Sequence, residues 1–328
     1  MFRWLGRLIA VLFALVLLVA AGMAFAFWQF GRPGPLQSET IVVIPRGVGL
    51  SAVAEQLESA GVIDNSYLFM AGVVLADAQG GLRFGEYAFP PSVSGEEVME
   101  IIESGRTVVH SVTIPEGWQV YQVIDLLEED DRLSGEIEVI PDEGTLLPET
   151  YNFDRGMERQ AILDRMSESM EAAVAELWED RAEGLPIETP EDAVILASII
   201  ERETGVSGER ALVASVFVNR LERGMPLQTD PTVAYALTLG EGPLGREITR
   251  ADWEYESPYN TYVVDGLPPG PIANPGRAAL EAALHPEDTN YLYFVADGSG
   301  GHAFAESLEE HNRNAAEWYR LRDAAEEN

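Results

Sequence analysis

A chain of 328 residues, 46 % of them hydrophobic, carries enough apolar material for an anchor and two domains of ordinary size, which excludes a disordered polymer. It has no cysteine, so disulfides, thiol nucleophiles and Cys-ligated zinc are excluded. Acidic residues number 55 against 21 basic ones, every one an arginine, and the net charge of −34 excludes nucleic acid as a partner while suiting a solvated surface in a salty medium outside the cytoplasm.

The first element is LIAVLFALVLLVAAGMAFAF, Leu8 to Phe27, uncharged and matching the roughly 20 residues that cross a bilayer as helix. Trp4 and Trp28 stand at its ends, where interfacial aromatics belong, and Arg3 and Arg7 place the short leading segment in the cytoplasm and the remainder outside. Ala24-Phe25-Ala26 offers the alternative of a cleaved signal peptide, but the apolar run exceeds the roughly 7–15 residues of such a segment. A breaker-rich linker follows at Gly31-Arg32-Pro33-Gly34-Pro35. Thr40 to Ile44 reads as a strand by its β-branched content, Pro45-Arg46-Gly47 as a turn, and a helix capped by Ser51 runs to about Ala60. The unit recurs: IPRGVGLSAVAEQL from Ile44 aligns with IPEGWQVYQVIDLL from Ile114, with Val53 and Val123, Leu57 and Leu127 at equal offsets. Two such copies point to a duplicated α+β module rather than a solenoid, which needs more repeats.

From Gly156 to Glu183 an amphipathic helical pattern carries Ile162, Met166, Met170 and Val174 on one stripe and is expected to bridge into a second domain. Thr189-Pro190-Glu191-Asp192 is a strong helix start, and that helix runs through Thr204 to stop at Gly205. Ser207 is expected to cap the next helix, which ends at Gly224; Asp230-Pro231 opens a third and Asn274-Pro275 a fourth. Tyr259 to Asn274, rich in Pro, Gly and Asn, reads as an ordered loop of the kind that carries chemistry. Tyr291 to Ala296 and His302 to Phe304 flank Gly298-Ser299-Gly300-Gly301 as a β-hairpin, and a helix from Ser307 closes the pattern.

The four histidines show no metal-binding spacing, and no P-loop, dinucleotide fingerprint or nucleophile elbow occurs, so metal, cofactor and nucleotide chemistry find no motif. A carboxylate acid or base remains. Glu201 arrives directly behind the apolar run Ala193 to Ile200, shares a helix face with Val194, Ala197 and Ser198, and lies in the last turn, where the macrodipole disfavours an anion. Both effects favour the protonated acid needed by a proton donor. Spacing alone leaves open an ordinary ion pair with Arg202, Arg210 or Arg220. Glu203 points to a different side and reads as a surface or supporting residue, Asp230 first as a helix cap, and Asn219, Gln228 and Thr229 as local hydrogen-bonders.

The segments LLPETY, ILASIIERET, VASVFVNRL, GMPLQTDPTV, SPYNTY, GLPPGPIANPG, YLYFVADGSGGHAF and HNRNAAEW, in this order between Leu146 and Trp318, resemble the YceG-like family of endolytic murein transglycosylases. The resemblance implies an α+β protein in three parts: a cytoplasmic tip and transmembrane anchor at 1–30, a linker and LysM-like module at 31–107, and a helix-rich catalytic domain with a small β-sheet at 108–328. It implies a lyase that cuts the β-1,4 bond between N-acetylmuramic acid and N-acetylglucosamine within glycan strands and leaves a 1,6-anhydro end, with no cofactor. Glu201 matches the family's catalytic glutamate and would serve as single acid and base. Gln228, Thr229, Asp230, Asn260, Tyr262 and Tyr151 are the candidate substrate contacts, with Ser198, Glu203 and Asn219 in support. Arg202 stands where the family often has lysine and Glu149 where it usually has aspartate, so charge is kept at both. The implied partners are peptidoglycan strands, the cytoplasmic (inner) membrane and peptidoglycan synthases. A membrane-tethered glycan-binding scaffold without activity, and a hydrolytic muramidase with Asp230 or Glu203 as second carboxylate, are the rival readings.

Overall fold

The computed structural model describes residues 2–326. Met1, Glu327 and Asn328, at the edges of the expected anchor and catalytic domain, lie outside the described residues, as do the side chains of Arg3 and Leu8.

Helix α1 (Phe2–Phe30) is apolar on every face, and its span Ile9–Phe30 is long and apolar enough to cross a membrane. Its side chains from Ile9 to Phe25 stand exposed, Ala26 and Gln29 are partly covered, and Phe30 is buried. A helix hydrophobic all round is satisfied by lipid or by a large protein core, and here no protein covers it. The chain otherwise divides into two compact units: the described residues of Met1–His110 with Asn152–Gly156, and of Ser111–Tyr151 with Met157–Asn328.

In the first unit β1 (Thr40–Ile44) is followed by α2 (Leu50–Ser59), α3 (Ser66–Leu75), β2 (Gly85–Phe89) and α4 (Gly95–Ser104). β1 and β2 pair antiparallel with Val42 opposite Tyr87, so that their inward residues meet Val53, Leu57, Phe69, Val98 and Ile102 in one core. Phe30 joins this core against Phe69, with ring centroids 6.0 Å apart. α4 begins with a reciprocal capping box between Ser94 and Glu97. α2 starts at Gly49 rather than under Ser51, with no side-chain cap, because the chain enters the helix one residue before the serine.

β3 (Val109–Thr113) leads to α5 (Val120–Glu129) and pairs with β4 (Thr150–Asp154). The turn between β3 and α5 repeats that between β1 and α2: Gly47 and Gly117 both have positive φ, and Val53, Val123, Leu57 and Leu127 are all buried. The second unit continues with α6 (Arg159–Glu179), α7 (Pro190–Glu203), α8 (Arg210–Glu222), α9 (Asp230–Thr238), a 3-10 turn at Asp252–Glu254, α10 (Arg277–Leu284), the antiparallel hairpin of β5 (Tyr293–Ala296) and β6 (His302–Ala305), and α11 (Leu308–Glu326). α6 packs on α7 and α10 and so belongs to this unit rather than bridging into it.

α7 is the central rod. Thr189 Oγ1 accepts from Asp192 N at 3.1 Å while the Asp192 carboxylate accepts from Thr189 N at 3.0 Å, and Pro190 needs no partner for a missing N–H. Ala193, Leu196, Ala197, Ile199 and Ile200 are fully buried against α6, α8, α9 and α10, which leaves the two ends of the rod to carry polar groups. The cap of α8 is Glu209, not Ser207, and that of α9 is Thr229, which puts Asp230 in the first turn with its carboxylate free for other partners.

Candidate active site

The last turn of α7 carries Glu201 and Glu203, and helical geometry turns them about 200° apart. Their surroundings differ accordingly. Glu201, whose side chain is 4 % exposed, has both oxygens taken: Oε1 accepts from Arg210 Nη2 at 3.1 Å and Oε2 from Gly276 N at 2.9 Å. Arg210 Nη2 also donates to Glu116 at 3.0 Å, and Arg202 Nη1 donates to Gly117 O at 3.1 Å. The ion pair with Arg210 that the spacing left open is thus present, and an apolar setting for Glu201 is not.

Glu203 is not a surface residue. It lines a cavity of about 440 Å³ with Phe217, Arg220, Leu227, Gln228, Asp230, Tyr262, Tyr293, Phe294, Val295, Leu308 and His311. Burial pushes its carboxyl above the ordinary range; the hydroxyl of Thr229, which donates to Oε1, opposes this, Asp230 adds to it, and His302 and Arg202 oppose it more weakly. A shift in this direction favours the protonated acid, and the carboxyl faces the cavity, the setting that suits a general acid.

The other walls are built to hold that setting. Arg220, 8 % exposed, donates from Nε to Leu292 O at 2.7 Å and from Nη1 to Leu227 O at 2.8 Å, tying the hairpin to the segment before α9. It does not pair with Glu201. Asp230 Oδ1 accepts from the Tyr262 hydroxyl at 2.8 Å and from Trp253 Nε1 at 3.0 Å. Burial, then the bond to Asp230, raises the Tyr262 phenol. His311 lies against Tyr293, with centroids 5.3 Å apart, and its Nδ1 is buried without a hydrogen-bond partner. Burial and then the charge of Arg220 lower its pKa, a direction that favours the neutral imidazole.

Of the expected substrate contacts, Gln228, Asp230 and Tyr262 line the cavity, and Gln228 holds a left-handed backbone with φ of 53°. Thr229 is 2 % exposed and serves Glu203. Asn260 is fully buried, its amide donating to Trp253 O at 3.1 Å and Tyr255 O at 2.8 Å, so that it holds the loop together. Tyr151 is 4 % exposed, with its hydroxyl donating to Leu147 O at 2.7 Å, and does not line this cavity. Ser198 accepts from Ile272 N at 3.1 Å, fixing the Pro-rich loop to α7, and Asn219 donates to Thr289 O at 3.0 Å and Tyr291 O at 2.9 Å. Arg220, Tyr293 and His311 also line the cavity, and the motifs VNRL, YLYF and HNRN that carry them are the sequence signal for it. Among the described residues no cluster of three possible metal ligands occurs.

A model of the YceG-like family matches residues 42–317. An endolytic murein transglycosylase of Bacillus subtilis (strain 168) is 32 % identical over 306 residues, which cover 82 % of this chain and 82 % of that protein. One of Streptococcus pneumoniae serotype 2 (strain D39 / NCTC 7466) is 29 % identical over 325 residues, covering 84 % of this chain and 58 % of the streptococcal protein. The crystal structure of a yceG-like protein from Listeria monocytogenes is similar at 31 % identity with a TM-score of 0.50, covering 84 % of this chain and 99 % of that one.

Proposed function

Because the chain belongs to the YceG-like family, we infer that it is an endolytic murein transglycosylase, a lyase acting on peptidoglycan. The finer reading is that Glu203, rather than Glu201, is its acid and base. One observation carries this choice between the two glutamates of α7: Glu203 is raised by burial and opens on a cavity, whereas both oxygens of Glu201 are consumed within the fold.

The reaction needs one such group. Protonated Glu203 gives its proton to the glycosidic oxygen as the bond from that oxygen to C1 of muramic acid breaks. The resulting carboxylate then takes the proton of the C6 hydroxyl, whose oxygen bonds to C1 and closes the 1,6-anhydro ring. No water is consumed and Glu203 ends protonated. The sugar's own hydroxyl replaces the water or carboxylate nucleophile of ordinary glycosidases. Asp230 at the cavity rim supplies negative charge near the developing cation.

The organisation that goes with this reading has a cytoplasmic tip and anchor at 1–30 in the inner membrane, a LysM-like module at 31–107 and the catalytic domain at 108–328 on the outer side, with nascent strands and peptidoglycan synthases as partners. The exposed apolar span supports the anchor.

The test compares Glu203→Gln with Glu201→Gln on purified sacculi, with products identified by mass spectrometry. The first is expected to lose about 10²- to 10⁴-fold or more in release of anhydro-muropeptides while remaining folded. The second is expected to melt earlier and to keep its chemistry at temperatures where it is folded. Loss of chemistry in folded Glu201→Gln with Glu203→Gln active would return the role to Glu201. Reducing-end muramic acid as the main product would make the protein a hydrolase, with Asp230 as the second carboxylate.

A further inference from the structure

Tyr262, in the cavity wall, carries a second ring against it. Trp253, in the 3-10 turn, lies flat on the Tyr262 ring, with centroids 5.1 Å apart and planes within 8°. Its indole donates to the Asp230 oxygen that also accepts from Tyr262, so both rings are pinned to one carboxylate at the cavity rim. The turn beneath is fixed as firmly. Asp252 accepts from Arg246 Nη1 at 2.7 Å and Nη2 at 2.8 Å and from Thr249 N at 2.7 Å, and the Asn260 amide holds the Trp253 carbonyl at 3.1 Å. Tyr262 covers one face of Trp253, yet the residue keeps part of its surface exposed. A large ring already immobilised at its backbone and its indole nitrogen has little freedom left to lose when a ligand stacks on it.

We propose that Trp253 is the platform of an additional sugar-binding position, on which a pyranose of the glycan strand stacks beside those held at Glu203. The inference rests on the glycan-cleaving reading of the cavity and deepens it. The apolar C–H face of a β-1,4-linked hexosamine matches an indole face, and its hydroxyls and acetamide N–H are donors for the carboxylate of Asp230, which when ionised only accepts. The acidic chain, at net charge −34, disfavours a polyanion at the same place. An enzyme with this platform discriminates by strand length, because only a substrate long enough to reach from the cavity to Trp253 gains the stack.

The experiment uses the full chain in detergent with Glu203→Gln, so that ligands bind without being cut. Its affinity for β-1,4-linked N-acetylglucosamine oligomers is measured by calorimetry from the disaccharide upward. Affinity is expected to rise with length, and adding Trp253→Leu should cost about threefold to tenfold for the longer oligomers and leave the disaccharide unchanged. Trp253→Phe, which keeps a ring but loses the bond to Asp230, should retain most of the gain. Equal affinities for Leu, Phe and Trp at every length would overturn the platform while leaving the glycan reading intact. Failure of every oligomer to bind the Glu203→Gln protein would overturn both.

Discussion

Glu143 offers a sharp test of how burial sets stability in the second unit. Its carboxyl sits at the edge of a separate cavity of about 340 Å³ walled by Val194, Ile195, Pro269 and Pro271, and burial there raises its pKa from 4.5 to about 7 against the opposing bonds from Val120 N and Gly144 N. At low pH the group is neutral in folded and unfolded chains alike and contributes nothing. As pH rises through 4.5 the unfolded chain releases this proton while the folded chain keeps it, so stability falls until about pH 7 and then levels off. The difference between 4.5 and about 7 corresponds to about 3 kcal/mol, an upper figure because the residue is partly exposed. Glu143→Gln cannot ionise, and its amide oxygen can still accept from Val120 N, now at 3.1 Å, and from the Asn274 amide, now at 3.2 Å. The melting temperature of the full chain in detergent, measured from about pH 5 to about pH 8, should therefore show a variant close to wild type at the acid end and several degrees more stable at the alkaline end. A difference that is constant across this range would refute the assignment of a proton to Glu143.

Net charge −34 makes the folded chain repel itself, so its melting temperature should rise with sodium chloride as the Debye length shrinks from about 10 Å at 0.1 M to about 3 Å at 1 M; a flat or falling curve would count against that. Gly144 has φ of +79° and an added Cβ would meet Pro271 at 2.5 Å, whereas Gly224 has φ of +62° and open space, so Gly144→Ala should cost at least about 2 kcal/mol more than Gly224→Ala in chemical denaturation.

The features legible in the sequence are those that local chemistry decides. Thr189, Pro190 and Asp192 specify the start of α7 within one turn of chain, and the structure reproduces it to the residue. The apolar span of α1 is equally self-contained. α3 was invisible because SYLFMAGVVL is apolar all round and has no helical stripe, although Asn65 caps it through Leu68 N at 3.0 Å. Ser51 and Ser207 were plausible caps, but a serine near a helix start becomes the cap only if the chain enters the helix there, which tertiary packing decides. Asn260 and Tyr151 show the same limit inside motifs: a polar residue amid Gly and Pro can serve a ligand or the loop itself, and only its partners separate the two.

The same distinction explains why the sequence ranks Glu201 above Glu203. Both follow the same apolar run, and the face of Glu201 looked the drier because Val194, Ala197 and Ser198 lie on it. What fills the space beyond that face comes from elsewhere in the chain: Arg210 from α8 and the N–H of Gly276 from the Pro-rich loop. Ser198, a turn earlier on α7, holds Ile272 of the same loop, so one side of the rod acts as a clamp. The opposite side meets Thr229, Asp230 and the hairpin, which leave a cavity instead of filling it. A central helix buried along its length can present a desolvated acid to substrate on one side only if its other side is locked, since any rotation of the rod would carry both carboxylates with it. With Glu203 as the proposed acid and base, Glu201 carries no proton in the reaction, and Glu201→Gln should show as a lower melting temperature rather than as lost chemistry in the folded protein.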